Sequence, residues 1–268
     1  MDILFNVVDS LRLVREKRPL IHHITNYVSI NDCANITLGI GASPVMAEDL
    51  DEVAEMVSFA SALVLNIGMI NPRKLEAMLV AGKQAALQGI PIIFDPVGVG
   101  ATKLRMDAAN RILSELQVAV IRGNLSEIKA LLGLSCDIHG VDCLSNEENS
   151  REIAQKLSKR LECVVAITGR TDVVAYGSSI CSIYNGHPLL AGITGSGCMT
   201  ASLIASFCSV TNDPFIGTVA GIATMGIAGE IAEQRLTPDE GLGTFRMRLF
   251  DAISTMNPET LLQLIKLS

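Results

Sequence analysis

Short apolar runs bounded by Gly, Pro or Asn alternate along this chain with longer segments whose apolar residues recur at helical spacing. Leu63-Val64-Leu65-Asn66 is followed by such a segment from Leu75 to Leu87, and Ile92-Ile93-Phe94-Asp95 by one from Leu104 to Leu116. The short runs predict strands and the longer segments the helices that connect them. Val118-Ala119-Val120-Ile121 continues the pattern before a helix starting near Asn124. So does the amphipathic face Ile153, Ala154, Leu157 and Leu161 before Cys163-Val164-Val165-Ala166-Ile167-Thr168. This alternation predicts an α/β fold with a central, mostly parallel sheet flanked by helices. Beyond Thr168 the pattern changes. Val173 to Tyr176 and Ile180 to Tyr184, separated by Gly177-Ser178-Ser179, predict a hairpin and hence a few antiparallel strands at one edge, with helices filling the rest. No repeat, low-complexity tract or long linker interrupts the chain, so one domain over residues 1–268 is expected.

Composition narrows the possibilities. Hydrophobic residues make up 49% of the chain and charged residues 18%, but aromatics only 4% and Trp none, so the core must be aliphatic and ring stacking is a poor basis for ligand binding. A net charge of -7 argues against general nucleic-acid affinity, which needs clustered Lys and Arg. The seven cysteines are an odd number scattered through apolar segments, which suits reduced thiols in a cytoplasmic protein. The N-terminus carries Asp2 where a secretion signal would carry basic residues, and an amphipathic helix follows. Residues 189 to 210 and 214 to 231 approach the length of a membrane span. Thr, Ser and Gly are frequent in both, and Glu230 and Glu233 follow closely, so buried helices and no membrane contact are expected.

Three segments carry candidate chemistry. In Thr194-Gly195-Ser196-Gly197-Cys198-Met199-Thr200 two glycines precede a helix-compatible run, so backbone N–H groups and the helix start can face one anion, such as a transferring phosphoryl group. The same spacing also describes a simple turn before a helix, and it is neither a Walker loop nor a Rossmann fingerprint. Arg122-Gly123-Asn124-Leu125-Ser126-Glu127 joins a strand end to a helix, where α/β sheets bind ligands. Glu127 either completes a capping box with Asn124 or reaches Mg²⁺ directly or through water. Asp95 ends another strand, held there by Pro96, and an acid in that position needs solvent, a partner or a cation. Asp95 and Glu127 are together a candidate Mg²⁺ site, with two unrelated solvated acids as the alternative. Cys136, His139 and Cys143 match no common zinc spacing, and His22 and His23 either orient a ligand or cap a strand end.

Taken together, these segments resemble the hydroxyethylthiazole kinases, thiamine-salvage enzymes of the ribokinase-like superfamily. The resemblance runs over most of the chain: His23 to Asn26 with Ala34-Asn35 behind it, Gly41 to Ala47, Leu65-Asn66-Ile67-Gly68, Asp95 to Ala101, Ile121 to Ile128, Ile167-Thr168-Gly169, Gly192 to Cys198 and Gly243-Thr244-Phe245. It implies ATP-dependent phosphorylation of the primary alcohol of 4-methyl-5-(2-hydroxyethyl)thiazole. By the same resemblance Met46 and Gly195 contact the thiazole with Asn26 close by, Arg122 and Thr168 bind ATP, and Asp95 and Glu127 lie near Mg²⁺. Gly195 and Gly197 then belong to the catalytic anion loop. A homotrimer with active sites at subunit interfaces is implied too, with Asn26 and Met46 completing a neighbour's site. Cys198 stands where the wider superfamily has an Asp general base, and it is expected to assist without being indispensable. Leu125 stands where the family usually has Ala, and Tyr27 and Asn31 to Cys33 also vary, which bears on substrate preference more than on reaction type. The rival readings are a hydroxymethylpyrimidine kinase, a dehydratase acting on a hydrated nicotinamide cofactor, and a non-catalytic nucleotide-binding relative.

Overall fold

The computed structural model describes residues 3–134 and 147–268. Cys136, His139 and Cys143 lie outside the described residues. Eight strands form one sheet: β1 (Leu20–Ile24), β2 (Ser43–Met46), β3 (Ala62–Asn66), β4 (Ile92–Asp95), β5 (Val120–Asn124), β6 (Val164–Thr168), β7 (Asp172–Tyr176) and β8 (Ser179–Ile183). Their order is β2-β1-β3-β4-β5-β6-β7-β8. The first six are parallel, and β7 and β8 close the edge as the antiparallel hairpin. The chain end extends that edge, since Ser182 and Ser268 exchange backbone hydrogen bonds of 2.9 and 3.0 Å.

Strand side chains alternate between two cores, as the period of a strand requires. Val64, Ile93, Val120 and Val164 face one layer; it contains α1 (Ile3–Lys17), α2 (Ile30–Ile40), α8 (Ser196–Cys208), α9 (Pro214–Gln234), α10 (Leu242–Thr255) and α11 (Pro258–Leu264). Leu63, Leu65, Ile92, Phe94, Ile121 and Val165 face the other, built from α3 (Val53–Ser58), α4 (Pro72–Leu87), α5 (Lys103–Glu115), α6 (Leu125–Leu131) and α7 (Glu147–Leu161). Asn71 and Thr102 cap α4 and α5 by accepting from Lys74 N and Arg105 N, and Pro at the first position of α4, α9 and α11 removes an N–H that has no helical acceptor there.

The apolar α9 is long enough to cross a bilayer, yet it is buried between α8, α10 and α1. Both stretches in question are thus core helices apart from the turn before α8. One boundary differs from the periodicity. The strand read from Val118 to Ile121 starts two residues later and continues to Asn124. Its ladder with β6 carries on through Arg122↔Ala166 to Asn124↔Thr168, so main-chain pairing holds polar residues in a strand that hydrophobicity alone ends at Ile121.

Candidate active site

Two features of the sheet open a site at its carboxyl edge. The β4–β5 ladder stops at Phe94↔Ile121, so Asp95 and Arg122 stand at the rim of a gap between diverging strand tips. In addition, the strand order reverses between β1, whose next strand lies to one side, and β3, which lies to the other. Such switch points are where open α/β sheets take ligands. The first turn of α8 lies at the same edge, since its Cys198 Sγ accepts from Asn66, the strand partner of Asp95.

Around that edge runs a buried polar network. Asn26 Nδ2 donates to Asn66 Oδ1 at 3.0 Å and lies 3.4 Å from Cys198 Sγ, while Asn26 Oδ1 accepts from the backbone N–H and hydroxyl of Ser29. Asn66 Nδ2 donates to Asp95 Oδ2 at 2.6 Å and to Cys198 Sγ at 3.3 Å. The second carboxylate oxygen, Asp95 Oδ1, is buried without a hydrogen bond, 3.7 Å from Arg122 Nη1. Burial pushes the Asp95 carboxyl up to about 6, against the opposing charge of Arg122. Burial and then the charge of Asp95 raise Cys198 above its ordinary range despite the contacts from Ser29, Asn26 and Asn66. Cys198 is therefore a neutral thiol at neutral pH.

The glycine loop takes the form its sequence implies. Gly195 caps α8 at φ 86°, and a Cβ there would lie 2.9 Å from the Ser29 Cβ, so both backbone conformation and space call for glycine. At Gly197 a Cβ would lie 2.4 Å from Arg122 Nη1. The guanidinium thus lies directly on the first turn of α8, whose leading N–H groups have no intrahelical acceptors. Arg122 Nη2 donates to Thr168 Oγ1 at 2.6 Å. Arg122, Thr168 and Gly197 share a cleft of about 560 Å³ with the apolar Pro188, Leu190, Ile222 and Met225 and the polar Asp172, Asn185 and His187. Cation, open helix start and apolar wall together suit a phosphate ester with a flat hydrophobic head.

Glu127 forms the capping box: Asn124 Oδ1 accepts from its N–H, and its Oε2 accepts from Asn124 N at 2.8 Å. Its Oε1 accepts from Gly98 N at 2.8 Å, which ties the loop after β4 to α6. Each oxygen keeps a further acceptor position, since a carboxylate has about four. Among the described residues no three His, Cys, Asp or Glu side chains cluster as a protein-only metal cage. One orphaned buried carboxylate oxygen with a second acid behind it nevertheless fits Mg²⁺, which keeps waters and phosphate oxygens as its other ligands.

Other residues separate from this cluster. Met46 ends the edge strand opposite His23, half-buried, with Glu48 just beyond it. Both histidines bond within the fold: His23 is buried between Ile21 O and Ser202 Oγ and lowered by burial to about 4, and His22 Nε2 bonds Ala47 O while its Nδ1 is buried without a partner. Two parts of the site carry no warning in the sequence. Asn66 falls within the resembling segment Leu65 to Gly68 but by itself reads as the polar end of a strand with no role, and the apolar cleft residues are drawn from segments that look like ordinary core.

Comparison with known proteins follows the same lines. Residues 11–259 match the model of the hydroxyethylthiazole kinase family. A hydroxyethylthiazole kinase from Alkaliphilus oremlandii is 48% identical over 260 residues, 97% of this chain and 96% of that protein. The structure of a hydroxyethylthiazole kinase protein from Pyrococcus horikoshii superposes with a TM-score of 0.89 at 38% identity, covering 98% of each chain. A ribokinase-like superfamily protein from Enterococcus faecalis shares the fold at 12% identity, with a TM-score of 0.63 over 87% of this chain and 86% of that one.

Proposed function

The chain belongs to the hydroxyethylthiazole kinase family, and from that membership we propose how its own residues carry the reaction. It is a phosphotransferase that phosphorylates the thiazole moiety in thiamine salvage, with ATP as the donor. The observation that supports the site assignment is the convergence of Asp95 Oδ1, the Arg122 guanidinium and the open first turn of α8.

In this reading the ATP base packs on the apolar cleft wall, Arg122 and Thr168 hold the phosphates, and the N–H groups after Gly195 meet the charge that develops on the transferring group. The thiazole lies towards Asn26, Gly195 and Met46, with its hydroxyl beside Cys198. The alcohol oxygen forms the new bond to the γ-phosphorus as the bond to ADP breaks, and the hydroxyl proton passes to a phosphate oxygen or to water. Asp95 and Glu127 would hold Mg²⁺, which neutralises phosphate charge when bound. Cys198, a thiol, orients the hydroxyl and does not act as an obligatory base, since positioning and charge stabilisation carry most of phosphoryl transfer.

The same proposal includes one kinase domain over residues 1–268, a cytoplasmic location and a homotrimer. In favour of the trimer, Val28 is 67% and Met69 44% exposed, and each stands just beyond a strand end that feeds the site. Isolated exposed apolar residues are common, but two beside one site fit a covering subunit.

Purified protein should be incubated with hydroxyethylthiazole and ATP, with and without Mg²⁺, alongside hydroxymethylpyrimidine, and the products identified by mass spectrometry. Thiazole phosphate that forms equally well after chelation of Mg²⁺ would overturn the metal assignment. Sedimentation velocity gives the number of copies.

A further inference from the structure

Asn66 joins Asn26, Asp95 and Cys198 in the buried network yet has no assigned task. It is 1% exposed, and each hydrogen-bonding position of its amide is used. Oδ1 accepts from Gly68 N at 2.9 Å and from Asn26 Nδ2 at 3.0 Å; Nδ2 donates to Asp95 Oδ2 at 2.6 Å and to Cys198 Sγ at 3.3 Å. The amide orientation follows from chemistry. Gly68 N–H can only donate, so the oxygen must face it, and turning the amide over would set donor against donor there and oxygen against oxygen at Asp95.

The two oxygens of Asp95 therefore differ. Oδ2 is tied by a short charge-assisted bond to Asn66, and Oδ1 is left without a hydrogen bond at the mouth of the gap between β4 and β5. We propose that Asn66 is a positioning residue for phosphoryl transfer: its amide fixes the rotation of the Asp95 carboxylate, so that Oδ1 faces the reacting groups, and holds Cys198 Sγ beside it. Gly68 and Asn26 lock the amide, so the chain of contacts runs from the substrate end of β1 to the phosphate end of β4. The inference rests on the assignment of Asp95 to the reaction centre. It predicts a loss in turnover, because a carboxylate free to rotate is misplaced by about 1 Å, which costs on the order of 100-fold in rate.

The test compares Asn66→Ala, Asn66→Asp and Asn66→Leu, measuring kcat, both KM values, Tm and calorimetric ADP affinity. Asn66→Asp keeps the shape but loses the donor, and Asn66→Leu keeps similar volume without a second acid beside Asp95. All three are expected to lose about 100-fold in kcat while ADP affinity stays within roughly three-fold. If Asn66 only fills space, Asn66→Leu keeps near wild-type kcat, and the inference falls. It falls equally if ADP affinity drops in step with kcat. Asp95→Asn, run in parallel, separates the two levels: an active Asp95→Asn sinks the site assignment itself, whereas an inactive one beside active Asn66 variants sinks only the role of Asn66.

Discussion

Asp95→Asn should make the protein more stable and nearly inactive at the same time. The carboxyl is fully buried, one of its oxygens has no hydrogen bond, and burial raises it to about 6 from an ordinary value near 3.8. The sign follows from which form the fold prefers. A carboxyl raised on folding favours the protonated native state, so its stabilisation is fully present below about pH 3.8 and is lost as pH rises through about 6. At pH 7 the wild type bears the whole cost of ionised Asp95, roughly 2 to 3 kcal/mol at 1.36 kcal/mol per pH unit. The asparagine variant, neutral throughout, escapes it and still accepts from Asn66. Urea unfolding of both proteins between pH 5 and 8 reads the difference directly. The advantage of the variant should grow from pH 5 to a plateau above about pH 6.5, a rise in Tm of several degrees. A variant equally or less stable than wild type at pH 8, or an advantage independent of pH, would show that Arg122 already compensates the buried charge. Turnover by the variant should fall by a factor on the order of 10³, the stability gained being the reverse side of a strained functional acid.

Three further outcomes follow from the geometry. Gly197→Ala forces Arg122 off the first turn of α8, because its Cβ would lie 2.4 Å from Nη1, so KM for ATP should rise about ten-fold while KM for the thiazole changes little, as steady-state kinetics would record. Cys198→Ala should retain about 1 to 10% of wild-type kcat, a loss smaller than the roughly 10² to 10⁴-fold that full acid–base catalysis contributes; inactivity as complete as that of Asp95→Asn would contradict an assisting role. Lys74 is 3% exposed and its Nζ binds Thr25 O at 2.7 Å and Glu48 Oε2 at 2.8 Å, clamping the turn that carries Asn26 to the end of β2. Lys74→Met should cost about 2 kcal/mol in urea unfolding and raise KM for the thiazole without affecting KM for ATP.

Much of the fold was legible because its cause is local. Apolar runs such as Leu63 to Leu65 and Ile92 to Phe94 became central strands, and the helix-period segments behind them became crossovers. The Asn124–Glu127 box and the Gly195 cap formed as their spacing predicts, since both depend on residues within one helical turn. Asp95 at the end of β4, Arg122 within β5 and Glu127 in the first turn of α6 were recognisable as candidates because a charge beside a sheet edge needs a partner.

What the sequence alone determined was therefore the strands from β3 to β8 with the helices between them, the caps at Asn124 and Gly195, and the residue types available at the sheet's carboxyl edge. Which of those residues meet was decided only by the tertiary structure. Asn66 lies 132 residues from Cys198, and Asn26 lies 172 residues from it, yet strand order and the docking of α8 bring all three into one hydrogen-bonded network. The divergence of β4 from β5 and the extension of β5 to Asn124 likewise depend on pairing between distant strands. Hydrophobic periodicity reports which face of an element is buried. It carries no information on which polar atom a buried donor will find, because that is fixed by the sheet's order and by distances between segments remote along the chain.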